Sequence, residues 1–94
     1  RFLDSFVFLT PDAYLQDYVN IIAPTTAGYV KLDGNNIALS NFVPVGASGY
    51  GVYRTSVSDG VHTLTSDQKM GVVVYGYDND VSYGYPGGMG LAKD

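Results

Sequence analysis

Apolar residues recur at every second position in short runs, each closed by a turn signal, which is the pattern of half-buried strands rather than helices. Leu3 to Leu9 is the first run, closed by Thr10-Pro11-Asp12. Tyr18 to Ala23 is the second, closed by Pro24 and Thr25-Thr26-Ala27-Gly28. Tyr29 to Leu32 and Ile37 to Leu39 flank Asp33-Gly34-Asn35-Asn36, a hairpin loop whose Gly and Asn tolerate positive φ. Phe42 to Val45 contains Pro44, which suits an edge strand. Tyr14-Leu15-Gln16 is the one candidate for a helical turn.

The next unit reads as a second hairpin. Tyr50 to Ser58 and Val61 to Ser66 flank Asp59-Gly60, a two-residue loop that favours a type I′ turn. That register pairs Val57 with His62, Thr55 with Leu64 and Arg54 with Thr65. Tyr53, Thr55, Val57, His62 and Leu64 then face the core, and Arg54, Ser56, Ser58, Thr63 and Thr65 face water. Ser66-Asp67-Gln68-Lys69 is expected to turn the chain into Met70 to Tyr77, the most apolar run and therefore a central strand. Ser82 to Gly90 follows, too glycine-rich for a firm assignment. Seven or eight short strands predict an all-β fold, a single antiparallel β-sandwich of immunoglobulin-like or jelly-roll-like type spanning residues 1–94.

Composition sharpens this picture. The 94 residues include nine Tyr, four Phe, twelve Gly and no Cys. All nine acidic residues are Asp, which favours turns, and none is Glu, which favours helices. Without cysteine, neither a disulfide nor a thiolate–metal staple is available, so packing and sheet hydrogen bonds must hold the fold. A net charge of −4 with five scattered Lys and Arg argues against a nucleic-acid partner. No apolar stretch approaches the roughly 20 residues of a membrane-spanning helix, so this segment is not expected to insert. The chain starts at Arg1, with no initiator Met, and is expected to be part of a larger protein.

Catalytic chemistry finds little support. His62 is the only histidine, so zinc with the usual N and S ligands is not expected. G-x-S-x-G is absent, and the hairpin register turns His62 toward the core, where a backbone partner would satisfy it. No cofactor is expected. Asp78 and Asp80, around Asn79, suit a turn, with a surface Ca²⁺ site as the alternative. The tyrosines are the more useful resource. Tyr75, Tyr77, Tyr83 and Tyr85 cluster toward the carboxy end, where they serve either as sheet packing or as a low-entropy contact surface. Tyr77, Tyr83, Tyr85 and Pro86 are the candidate partner-binding residues.

Three stretches carry a family resemblance: Gly60-Val61-His62-Thr63-Leu64-Thr65-Ser66-Asp67, Gly71-Val72-Val73-Val74-Tyr75-Gly76-Tyr77, and Val81-Ser82-Tyr83-Gly84-Tyr85-Pro86-Gly87-Gly88. Together they resemble the IgGFc-binding protein amino-terminal region, and the earlier DSFVFLTP, VNIIAP, VKLDG and FVPVG runs fit the same module more loosely. The resemblance implies an extracellular or cell-surface β-rich module, and the Asp-rich, cysteine-free style suits a bacterial relative. It implies a non-catalytic binding or adhesion unit with a protein or glycan partner. The alternative is an architectural module that associates with its neighbours through exposed sheet edges.

Overall fold

The computed structural model describes residues 2–10, 16–77 and 82–86. Eight strands form along the chain: β1 (Leu3–Thr10), β2 (Gln16–Pro24), β3 (Val30–Leu32), β4 (Asn35–Asn36), β5 (Val43–Pro44), β6 (Tyr50–Val57), β7 (Gly60–Tyr77) and β8 (Ser82–Pro86). A 3₁₀ turn, Leu39–Asn41, precedes β5, where the sequence suggested the end of a strand. The helical turn expected at Tyr14–Gln16 falls mostly outside the described residues, and Gln16 itself opens β2. The fold is all-β, as expected.

All eight strands belong to one antiparallel sheet that curls on itself, and β7 is its spine. The first half of β7 pairs with β1 and β3, with β4 outside β3. Its second half pairs with β2 and β8, with β6 and then β5 beyond β2. Pro44 lies in the edge strand β5, where its missing N–H costs no ladder bond. The inward positions of both halves meet in one core that includes Phe6, Phe8, Val19, Ile21, Val30, Leu64, Met70, Val72 and Val74.

Two expectations are corrected. Tyr50–Val57 and Gly60–Ser66 do form strands, and their inner and outer faces alternate as predicted, but they do not pair with each other. β6 pairs with β2 and β5, while the start of β7 pairs with β1 and β3. The Asp59-Gly60 step is thus a corner from one half of the sheet to the other. The reason lies in the Ser58 carbonyl at that corner. It accepts from the Thr10 hydroxyl at 2.6 Å and from His62 Nε2 at 2.6 Å, side-chain bonds that leave no need for a cross-hairpin amide.

The second correction concerns Ser66 to Lys69, which do not turn the chain. β7 runs through them, and residues 66–69 stand opposite the single residue Asp4 in a bulge. Polar side chains there tie the bend to the β2–β3 loop instead. Ser66 Oγ donates to the Tyr29 carbonyl at 2.7 Å, and the Asp67 carboxylate accepts from the Gly28 amide at 2.9 and 3.0 Å. A Cβ on Gly28 would sit 2.6 Å from Asp67 Oδ2, so only glycine allows this approach without a shift.

Candidate functional site

Asp33 and Gly34 form the tight turn between β3 and β4, with φ of 54° and 80°, the backbone of a type I′ turn. This turn is pinned to β7 twice over. The Asp33 amide donates to the Thr63 carbonyl at 2.8 Å, and Asp33 Oδ1 accepts from the Thr63 amide at 2.8 Å. The second carboxylate oxygen lies 2.7 Å from His62 Nδ1. His62 is 5% exposed and stacks on Phe8, with ring centroids 5.4 Å apart.

Hydrogen-bond chemistry favours the charged form of this histidine. Its Nε2 faces the Ser58 carbonyl, which can only accept, and its Nδ1 faces a carboxylate, which accepts when ionised. This pair of acceptors favours the imidazolium, in which both ring nitrogens donate. Burial opposes its charge, yet the bonds to Asp33 and Ser58 and the fields of Asp33 and Asp17 outweigh burial and raise its pKa above the ordinary value. For Asp33, burial likewise works against ionisation, but the bonds from His62 and the Thr63 amide prevail and lower its pKa. In this state His62 has no lone pair with which to take a proton or bind a metal. The backbone partner expected from the sequence is present, and a carboxylate joins it.

A second cluster occupies the outer face of the other half. Register pairs Tyr18 of β2 with Tyr75 of β7, and their rings stack with centroids 5.5 Å apart at 22°. The Arg54 guanidinium of β6 lies over both, 4.5 Å from the Tyr18 centroid and 5.5 Å from that of Tyr75. Each such contact contributes about 0.5–1 kcal/mol at an exposed site and holds the guanidinium in one orientation. The sequence reading missed Tyr18 and Arg54. Nothing in the sequence says that β2 lies between β6 and β7, and only that order assembles the three side chains.

Of the predicted binding residues, Tyr77 ends β7 opposite Gln16 and Ser82, Tyr83 pairs with Gly76, Tyr85 with Val74 and Pro86 with Val73. The backbones of all four thus lie in neighbouring strands, and their side chains fall outside the described residues. Asp78 and Asp80 also lie outside them. Among the described residues no group of three or more His, Cys, Asp or Glu side chains is placed to hold a metal ion.

A family model described as IgGFc binding protein matches residues 1–76. The chain belongs to the IgGFc-binding protein family. The matched part includes the His62 cluster and the Tyr18–Arg54–Tyr75 stack, whereas the Ser82-Tyr83-Gly84-Tyr85-Pro86 stretch lies beyond it. Neither the comparison with curated proteins nor that with solved structures gives a match. No helix among the described residues is long and apolar enough to cross a membrane.

Proposed function

We propose that this IgGFc-binding family member is a non-catalytic binding module of a secreted or surface protein, and that a protein partner docks on the face built around Arg54. The observation that carries this reading is the Tyr18–Tyr75 stack with Arg54 laid across it. Tyrosine and arginine dominate the energetics of protein interfaces, and a guanidinium already fixed on two rings loses little freedom on binding. On a chain of net charge −4, this cation favours a partner that brings a carboxylate to it. In this reading the surface continues at the register positions of Tyr77 and Pro86, which share the face of Tyr75, whereas Tyr83 and Tyr85 stand opposite Gly76 and Val74 on the other face of the sheet. The geometry of His62 supports the non-catalytic part, because its two nitrogens are committed to holding the fold.

Titration of the immobilised chain with IgG Fc and with a mucin glycoprotein tests the proposal. Saturable binding to at least one is expected, and Tyr18→Ala or Tyr75→Ala should weaken it by roughly tenfold, the effect of losing about 1.4 kcal/mol at a contact. No saturable binding to either, or binding indifferent to both substitutions, would overturn it.

A further inference from the structure

A cleft of ≈ 280 Å³ opens between the β3–β4 hairpin and β6, on a part of the surface the proposed partner face does not use. Tyr53 of β6 lines it, and the next residue, Arg54, points to the opposite face of the strand. Asn35, Asn36, Tyr53 and Ser58 line the cleft, and among the described residues none of their side chains makes a hydrogen bond. Amides and hydroxyls both donate and accept, so this set matches a ligand rich in hydroxyl groups. The Tyr53 ring and Ile37 supply apolar wall for its C–H face.

Charge narrows the class. The charged groups lining the cleft are Asp33 and His62. Both N–H groups of His62 are already donated, to Asp33 and to the Ser58 carbonyl, so an anionic ligand would meet a carboxylate and no available cation. The volume of ≈ 280 Å³ equals roughly nine waters at ~30 Å³ each, the scale of one sugar ring with its substituents. We infer that the cleft binds a single neutral hexose or N-acetylhexosamine unit.

An NMR titration of the ¹⁵N-labelled chain decides it, with N-acetylglucosamine, galactose and mannose as neutral probes and N-acetylneuraminic acid and galactose 6-sulfate as anionic ones. At least one neutral sugar should move the amide signals of Asn35, Asn36, Ser56 and Ser58 with a millimolar Kd, as expected for a small ligand in a shallow site. Asn36→Ala and Tyr53→Phe, both retaining a dispersed spectrum, should weaken that binding about tenfold by leaving a ligand hydroxyl unpaired. The anionic sugars should bind at least about tenfold more weakly than the best neutral one. The inference is overturned if no neutral sugar moves these amides up to about 50 mM, a bound weaker than −2 kcal/mol. It is equally overturned if the shifts fall on Tyr18, Arg54 and Tyr75, or if an anionic sugar binds as well. Because the cleft and the Arg54 face are separate, either result leaves the protein-partner test independent.

Discussion

His62 combines a charge, near-complete burial and two acceptor-only partners. Its pKa is higher folded than unfolded, so its contribution to stability is complete below the unfolded value of about 6.5 and is lost as pH rises through the folded value. Asp33 works in the opposite sense, because its folded pKa is lowered. Its contribution is present above about 3.8 and is lost as pH falls through the folded value. A thermal-melting series across pH should therefore show stability falling on the alkaline side of about pH 6.5 and again in acid. His62→Gln should flatten the alkaline limb; an unchanged alkaline limb in that variant would contradict the clamp. His62→Ala should cost about 2–3 kcal/mol in denaturant unfolding. Asp33 is 41% exposed, so water screens the pair and the loss stays below that of a fully buried one.

At the scale of elements, the β3–β4 turn isolates a backbone effect. Gly34 has φ of 80° and open space around the position of a Cβ, so Gly34→Ala tests conformation without crowding. It should destabilise by about 1 kcal/mol, read as a shift of the denaturation midpoint at constant slope. No shift would show that the turn does not hold this geometry. Strand positions and faces were largely legible in the sequence, because period-two alternation follows from burial on one side, and His62, Leu64 and Arg54 stand on the predicted faces. Partner choice was not. An Asp-Gly step specifies a change of direction, but here Thr10, distant in sequence, joins the nearby His62 on the corner carbonyl, and a hairpin becomes a crossing between sheet halves. Ser66–Lys69 looked like a turn for a similar reason. Polar residues at a bulge that bends a strand resemble those that end one. The Tyr18–Arg54–Tyr75 cluster was illegible on the same ground, since it exists only through the β6-β2-β7 order.

The whole molecule depends on one core fed from both halves of the sheet. Leu64 and Val74 lie in different halves of β7 and are both fully buried. Leu64→Ala should cost about 2–5 kcal/mol, and Val74→Ala, a smaller deletion, should cost less. Each should shift one shared transition followed by circular dichroism and tyrosine fluorescence; two separable transitions would contradict a common core. The same closure places the Arg54 face and the polar cleft on separate surfaces, so that the module can engage a partner without rearranging its interior. Hydrogen exchange of the chain with and without whichever of IgG Fc and the mucin glycoprotein it binds tests that central claim most directly. The account predicts slowed exchange in 16–24, 50–57 and 71–77, the segments carrying Tyr18, Arg54 and Tyr75, and its loss in Arg54→Ala. Protection confined to the β3–β4 hairpin, or unchanged by Arg54→Ala, would contradict it.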